Sequence, residues 1–301
     1  MVSLRFHFVL PTPFSFTHTV SAARFYSVLG VATAEGAYRR ILRLNETLAL
    51  AEFALLDGST VEARLLAANG PVDPAAFEAR ARWMLHPELD LAPFYALGDD
   101  DPGAARLIAP LNGLRAFRLD SAFESLAITI SEQQIALTMA QNAERWLIQT
   151  YGEALEHDGV RYYAFPTPGR LASLTVEDLT PLKITFLRME RLLAIARAIT
   201  EGTLSLEPLA TDPDALYQRL LTLHGVGHWT AAWALIRASG QFRYFGRADV
   251  ALRSAANRHF AGLPGRMDGD VLDALFERFG AQAGLAAFYL IIGYAHDKVK
   301  L

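Results

Sequence analysis

The chain has 301 residues, of which 52% are hydrophobic and 20% are charged, and its formal net charge at pH 7 is −4. This composition excludes a disordered chain and a coiled coil, and the length allows a sizeable core in one or two domains. Because the chain has no cysteine, disulfides, thiol catalysis, cysteine-type zinc sites and thiolate-bound iron–sulfur clusters are excluded. The N-terminus becomes polar too soon for a signal peptide, and no apolar run reaches the roughly 20 residues that span a bilayer. We therefore expect a soluble cytoplasmic protein.

Positive charge is concentrated in one part of the sequence. The segment from His224 to Arg266 contains six arginines and a single acidic residue, Asp249. Such a segment predicts a face that attracts a polyanion, although the acidic total argues against a surface that is basic throughout. The arginines are Arg237, Arg243, Arg247, Arg253, Arg258 and Arg266.

The first seventy residues show the alternation of apolar and polar side chains that is typical of strands. Two of the predicted strands flank the turn residues Asp57, Gly58 and Ser59, which predicts an antiparallel hairpin. The predicted strands cover residues 4–10, 38–44, 47–56 and 60–67. We expect residues 1–70 to form a small N-terminal antiparallel sheet domain.

From Asp73 and Pro74 onward the apolar spacing becomes helical. Helices are predicted at residues 75–85, 121–131, 134–151, 185–200, 214–223, 226–239, 250–260, 269–279 and 283–296, and the clearest loop at 157–169. The fold class predicted is therefore α+β, with the sheet domain followed by an all-helical domain at residues 71–301.

The string from Leu223 to Ala232, LHGVGHWTAA, lies between two of these predicted helices. Gly225 and Gly227 cannot both lie in a helix interior, and they permit a tight reversal after which the second helix begins with unpaired backbone N–H groups. Such a helix start can bind a phosphate oxygen. The alternative is a plain helix–helix turn in which the glycines serve only as cap and hinge.

Asp249 is expected to begin the helix that follows an aromatic and basic loop at residues 241–247. A carboxylate at that place is favoured by the helix dipole and accepts backbone N–H bonds, so Asp249 can be no more than a helix cap. The same surroundings keep the carboxylate ionised, as a catalytic group requires.

The residues from Phe123 to His296, over half of the chain, resemble the DNA glycosylases of the helix-hairpin-helix superfamily, specifically the alkylated-base type called 3-methyladenine DNA glycosylase II. The matching motifs are FESLAITISEQQI at residues 123–135, AFPTP at 164–168, the hairpin at 223–232 and Asp249. The resemblance implies a glycosylase domain at 71–301 with the helix-hairpin-helix at about residues 214–239.

The resemblance also implies roles for individual residues. Asp249 matches the catalytic aspartate, and Trp229 and Trp233 fall where relatives place aromatic residues of the base pocket. Gln134 matches the side chain that fills the gap left by an extruded base. The hairpin would contact DNA phosphate through residues Gly225, Val226, Gly227 and Thr230. In the family a monovalent cation, Na⁺ or K⁺, is often held by hairpin carbonyls, here those of Leu221, Leu223 and Val226, and no other cofactor is expected.

The chemistry agrees with these roles. An enzyme that acts on a base in a duplex needs a wedge, a backbone clamp and a stacking pocket. Cleavage of the N-glycosidic bond develops positive charge on the sugar, which an ionised Asp249 would stabilise. An alkylated purine is cationic and leaves easily, so an aromatic cage can select it. Trp229 and Trp233 share one helix face, for which the alternative explanation is core packing, and the aromatic residues Phe242, Tyr244 and Phe245 are assigned to the core.

Departures from the family pattern restrict the activity. Relatives that also cut the strand place a lysine two residues after the second hairpin glycine, where this chain has Trp229, so we expect a monofunctional enzyme that leaves an abasic site. Gly284 stands where alkylated-base relatives stack a tryptophan, and we expect it to open the pocket. His224 and His228 lack the further ligands of a zinc site.

The sequence therefore predicts a monomeric, monofunctional DNA glycosylase that flips alkylated purines out of duplex DNA and hydrolyses the N-glycosidic bond in base excision repair. One alternative is a glycosylase for oxidised or deaminated bases that uses the same machinery. Another is a non-catalytic helix-hairpin-helix module that binds duplex DNA, in which Asp249 only caps a helix.

Overall fold

A computed structural model describes residues 4–296. Five strands form one antiparallel sheet in the order β1-β5-β4-β3-β2. The strands are β1 (Arg5–Val9), β2 (Val31–Ala32), β3 (Tyr38–Leu44), β4 (Thr47–Leu55) and β5 (Thr60–Ala68). The hairpin predicted around residues 57–59 joins β4 to β5, as expected.

Strands β3 and β4 are buried on both faces. Leu42 of β3 and Phe53 of β4 belong to the main core, whereas Ile41 and Leu50 face a second, smaller cluster that includes Tyr162. This cluster is covered by a short hairpin of β6 (Ala154–His157) and β7 (Val160–Tyr163). The prediction of a loop from residue 157 and of an all-helical second part is wrong here, because four-residue strands around a turn give little sequence pattern.

Thirteen α-helices are found in residues 4–296. They are α1 (Phe16–Tyr26), α2 (Pro74–Leu85), α3 (Ala92–Asp100), α4 (Pro102–Ile108), α5 (Ala122–Glu132), α6 (Leu137–Tyr151), α7 (Pro168–Ala172), α8 (Phe186–Thr200), α9 (Pro213–Leu221), α10 (His228–Ser239), α11 (Val250–Ala261), α12 (Gly269–Phe276) and α13 (Ala283–Ala295). The helical majority and the small antiparallel sheet confirm the predicted α+β class. Helices α1, α3, α4 and α7 were not predicted.

Polar side chains fix where several helices begin. Asp73 accepts the amide of Ala75, Ser121 that of Glu124, and Asp212 that of Ala215. Each bond satisfies an amide that has no partner within its own helix. The helix start predicted near Asp73 and Pro74 is confirmed, and α5 begins one residue after the predicted start.

Sheet and helices share one hydrophobic core. The rings of Tyr38 and Phe53 pack against Phe117, with centroids 5.4 and 6.3 Å away, and Phe288 of α13 belongs to the same cluster. A buried ion pair between Arg40 of β3 and Glu124 of α5 also joins the two parts. The division into domains 1–70 and 71–301 stays a prediction.

The C-terminal helices form an apolar stretch. Among the described residues, Gly269–Ala295 is long and apolar enough to span a membrane by length and composition, but 67% of its apolar window is buried inside the protein. This is weak evidence for a span, because the core helices of folded domains pass the same test.

Candidate active site

The loop between α9 and α10 forms a tight reversal, as predicted. Gly225 has a φ of +77°, a conformation that favours glycine, and the amide of Val226 donates to the Leu223 carbonyl over 3.1 Å. A methyl group on Gly225 would lie 1.9 Å from the Arg191 guanidinium carbon. The turn is therefore closed by its own backbone and covered by Arg191 of α8.

Gly227 immediately precedes α10 and leaves its first turn uncapped. It has no side chain to accept the first amides of the helix, and a methyl group on it would meet no atom within 4 Å. The open amides therefore lie at the start of α10, whereas the Val226 amide, one of the predicted phosphate ligands, is already used within the turn. A helix start with free amides and open space favours an anion.

Gln133 connects the hairpin to the turn between α5 and α6. Its side-chain amide donates to Thr230 Oγ1 over 2.8 Å and to the Gly225 carbonyl over 3.2 Å. Thr230 is 3% exposed, so its hydroxyl does not lie on the surface, and a DNA contact of this residue would use its amide. Gln134, the predicted gap-filling residue, follows in the same turn, exposed and with a φ of +54°. Gln133 was not predicted, although it is the neighbour of Gln134.

Asp249 lies at the start of α11, and its two oxygens have different partners. Oδ1 accepts the amides of Ala251 and Leu252, over 2.8 and 3.0 Å, and so caps the helix. Oδ2 accepts the indole N–H groups of Trp229 and Trp233, over 2.6 and 3.1 Å. Asp249 can therefore be both a helix cap and a site residue, which were the two alternatives drawn from the sequence.

Trp229 and Trp233 lie on one face of α10, as their spacing predicted, and both meet Asp249 edge-on. Trp233 is 8% exposed and Trp229 is half-buried. Because each indole directs its N–H edge toward the carboxylate, these residues surround Asp249 with donors. Asp249, itself 8% exposed, accepts four hydrogen bonds in all.

Gly246 permits the close approach of Trp229. A methyl group on Gly246 would lie 2.7 Å from Cδ1 and 2.9 Å from Cα of Trp229. The Gly246 carbonyl also accepts the amide of Asp249 over 2.8 Å, so the loop holds Asp249 beside the N–H edge of the Trp229 indole. Gly246 was not among the site residues predicted from the sequence.

A narrow cavity adjoins Asp249. Its volume is about 10 Å³, close to that of one water, and its aromatic walls are Trp233, Phe245 and Phe288. Phe245 was assigned to the core from the sequence, and Phe288 was not considered. The other residues that line the cavity are Ala232, Ile236, Gly246, Leu252, Ala287 and Ile291, so Asp249 is its sole ionisable side chain.

Gly284 does not open the pocket, contrary to expectation. A methyl group on it would lie 2.0 Å from the Phe242 carbonyl oxygen and 2.8 Å from that of Tyr244. The backbone of the loop before Asp249 therefore fills the space that a side chain at residue 284 would occupy.

The same loop is attached to α9 by stacked tyrosines. The rings of Tyr217 and Tyr244 lie 3.7 Å apart with an interplanar angle of 4°. The Tyr217 hydroxyl is 2.9 Å from Nδ1 of His228, the first residue of α10, and the Tyr244 hydroxyl donates to Asp214. Burial raises the pKa of Tyr217, which keeps its hydroxyl protonated. The loop that carries Asp249 is thus attached to both helices of the hairpin.

The predicted basic face is smaller than the count of arginines suggests. Arg237 is buried and paired with Glu132, Arg243 pairs with Asp214, and Arg247 pairs with Asp270 and Asp273. These acidic residues lie outside the basic segment, so the sequence count did not include them. A wider cavity of about 440 Å³ lies between α8 and the hairpin, where Arg191, Arg219 and His224 contribute basic groups beside Glu190.

Residues 4–296 contain no group of three or more His, Asp or Glu side chains that could hold a metal ion. The ligands expected for a monovalent cation are backbone carbonyls and not side chains of these types.

Comparison with known proteins finds relatives that are named DNA-3-methyladenine glycosylases. No family model matches the chain. The DNA-3-methyladenine glycosylase of Bacillus subtilis (strain 168) is 28% identical over 203 residues, 66% of this chain and 67% of that protein. DNA-3-methyladenine glycosylase 2 of Escherichia coli (strain K12) is 32% identical over 166 residues, 55% of this chain and 57% of that protein.

The fold has solved counterparts. A 3-methyladenine DNA glycosylase from Archaeoglobus fulgidus superposes with a TM-score of 0.80 at 22% identity, over 97% of this chain and 98% of that one. At this identity the likeness establishes the fold. The sequence alignments span 57 to 67% of the first curated relatives. Together these findings confirm the resemblance drawn from the sequence.

Proposed function

We propose, from its relationship to the DNA-3-methyladenine glycosylases, that this chain is a monofunctional DNA glycosylase for alkylated purines in duplex DNA. The observation that carries the proposal is the position of Asp249, a carboxylate that accepts hydrogen bonds from the indole N–H groups of Trp229 and Trp233 on α10, the helix with the uncapped start. The proposed phosphate clamp at the start of α10 and the acidic group at the start of α11 are thus joined through these two indoles.

The reaction follows from that arrangement. The bond between the sugar C1′ and the purine nitrogen breaks, and its electron pair neutralises the cationic base, which departs. The charge left on the sugar is stabilised by the Asp249 carboxylate. A water oxygen then bonds to C1′ and releases a proton, for which Asp249 is the acceptor within reach. The product is an abasic site.

The base requires more room than the free protein provides. A cavity of about 10 Å³ holds one water and no purine, so aromatic side chains must move when a base enters. Trp233, Phe245 and Phe288 are the aromatic walls from which a cationic base would gain stacking and cation–π attraction.

The hairpin and the turn that contains Gln133 and Gln134 supply the other two functions, which are the backbone clamp and the wedge. The amides at the start of α10 bind a phosphate oxygen of the DNA backbone. Gln134, exposed beside the hairpin, fills the space left by the extruded base. The absence of a lysine at residue 229, where the chain has tryptophan, leaves no amine for a Schiff base there and favours hydrolysis without strand cleavage.

A monovalent cation at the hairpin is part of the proposal. The carbonyls of Leu221, Leu223 and Val226 would hold Na⁺ or K⁺, and the bound charge would strengthen attraction to phosphate. The Leu223 carbonyl accepts the Val226 amide and has a second lone pair for a cation. A monomer in the cytoplasm is likewise proposed from the sequence.

The test is release of free base from duplex DNA treated with a methylating agent, measured by mass spectrometry. The wild type should release methylated adenine or guanine and leave abasic sites without strand breaks, and Asp249→Asn should release none while it still melts cooperatively and binds DNA. Release of oxidised or deaminated bases instead would support the alternative glycosylase. If the wild type binds duplex DNA and releases no base from any damaged substrate, the chain is a binding module.

A further inference from the structure

We infer that Trp229 and Trp233 are positioning residues that hold Oδ2 of Asp249 through their indole N–H groups, and that Gly246 is needed for the first of these bonds. The inference rests on the proposed function, and it gives both tryptophans a role other than that of stacking surfaces.

The carboxylate is held by donors from two sides. Two backbone amides of α11 bind Oδ1, and the two indoles bind Oδ2. Because both oxygens accept hydrogen bonds, the plane of the carboxylate has a defined orientation. Two bonds to one oxygen alone would leave the carboxylate free to rotate.

These hydrogen bonds occupy the N–H edge of each indole ring. A tryptophan whose Nε1 lies 2.6 or 3.1 Å from Oδ2 directs the edge of its ring, and not the face, at the reacting group. Phenylalanine at either residue would keep most of the ring and lose the N–H group. Because Asp249 is 8% exposed, solvent replaces the lost donor poorly.

Gly246 acts through Trp229. A side chain on Gly246 would overlap Cδ1, the indole carbon next to Nε1, at 2.7 Å. Gly246 has no positive φ in the structure, so the reason for glycine is the approach of the indole and not backbone conformation. Alanine would displace the ring and with it the shorter of the two indole bonds.

The kinetic test compares Trp229→Phe, Trp233→Phe and two controls, Trp83→Phe and Trp146→Phe, whose rings pack against Arg118 and Tyr151. At saturating DNA, each site variant should release base about ten- to a hundredfold more slowly than the wild type, with DNA affinity within about threefold. Wild-type rates of base release in both site variants would overturn the inference and leave the proposed function standing.

A second measurement needs no activity. The chain has four tryptophans, so the ¹H–¹⁵N spectrum of the indole region contains four Nε1–H signals, which the single Phe variants assign. In Asp249→Asn the signals of Trp229 and Trp233 should shift, and those of Trp83 and Trp146 should stay. Unchanged signals at 229 and 233 would contradict the hydrogen bonds, whatever the enzyme does. If the shifts appear and the wild type releases no base, the proposed function fails and the donor arrangement stands.

Gly246→Ala tests whether Gly246 is needed for the hydrogen bond between Trp229 and Asp249. Alone, Gly246→Ala should slow base release about as much as Trp229→Phe does. The double variant should release base less than about twofold more slowly than Trp229→Phe alone, because both changes remove the same hydrogen bond. Fully multiplicative losses, in variants that melt within a few degrees of the wild type, would show that Gly246 acts independently of the indole.

Discussion

The side-chain amide of Gln133 donates to the hydroxyl of Thr230 over 2.8 Å, from the turn after α5 to the first turn of α10. A second bond from the same nitrogen reaches the Gly225 carbonyl. The residue proposed to fill the gap in the duplex, Gln134, is the next residue along the chain. Gln133 therefore fixes the distance between the two parts that would contact DNA.

Gln133→Ala is expected to weaken both parts together. The buried Thr230 hydroxyl loses its donor, at a cost of about 1–3 kcal/mol in the free energy of unfolding. We expect a lower melting temperature, at least several-fold weaker duplex binding and slower base release. Gln134→Gly is the matched control, since it removes the exposed neighbour and relieves the positive φ. It should melt no lower than the wild type, bind undamaged duplex normally and release base more slowly. Equal effects of the two variants on melting would contradict the role of Gln133.

The two hairpin glycines should respond differently to alanine. Gly227→Ala meets open space, so stability should be unchanged while affinity for any duplex falls, because the methyl group occupies the path of the phosphate. Gly225→Ala should lose about 1–2 kcal/mol of stability from its φ of +77°, apart from any effect on binding.

Two other glycines serve as controls for this pair. Gly159→Ala changes a residue of the β6–β7 turn that has a positive φ like that of Gly225, and the methyl group of Gly169→Ala meets open space like that of Gly227→Ala. Both should bind DNA as the wild type does. Normal affinity of Gly227→Ala, measured by fluorescence anisotropy at two salt concentrations, would argue against the proposed phosphate site.

Gly284→Ala should destabilise the protein and slow catalysis. The added methyl group lies 2.0 Å from the Phe242 carbonyl oxygen, so the loop leading to Asp249 must shift. Overpacking of this kind costs about 1–3 kcal/mol. Thermal melting and single-turnover base release measure the two effects. A variant with unchanged stability would mean that the loop accommodates the methyl group freely.

Glu144 should make stability depend on pH. Burial raises the pKa of this carboxyl from 4.5 to about 8, against the hydrogen bonds from Val28 and Ser27. Since the folded-state value lies above the unfolded one, the stabilising contribution is complete below pH 4.5 and is lost as the pH rises toward 8.

Glu144→Gln removes that dependence. Between pH 5 and pH 8, the stability of the wild type relative to the variant should fall by about 3–4 kcal/mol, measured by urea unfolding. Glu78→Gln on the exposed face of α2 is the control and should follow the wild type. A constant difference between wild type and Glu144→Gln at all pH values would contradict a buried, protonated Glu144.

Local patterns were enough to predict the strands and helices that carry most of the site. Alternation predicted β3, β4 and β5, and Asp73 with Pro74 marked the start of α2. The hairpin and the helix start at Asp249 followed from glycine spacing and from a carboxylate before an apolar run. These features depend on residues adjacent in sequence.

The features that were missed depend on packing between distant residues. The spacing of Trp229 and Trp233 predicted a shared face, but the direction of each N–H depends on a loop twenty residues away. Gly246 and Gly284 have backbone conformations that other residues also adopt. Glycine is needed at both because another segment of the chain lies where a side chain would be. The basic segment was overestimated because Asp214, Glu132 and Asp270 come from other parts of the chain.

Asp249 caps the start of α11 with Oδ1 and accepts the indole N–H groups with Oδ2. A carboxylate attached to a helix terminus in this way moves little unless the backbone moves with it, so the proposed reaction would need little reorganisation energy when charge appears on the sugar. The same linkage means that the reactive group cannot be retuned by substitution without a penalty to α11. Redesign of the proposed activity for other bases is therefore better directed at the aromatic walls than at the acid.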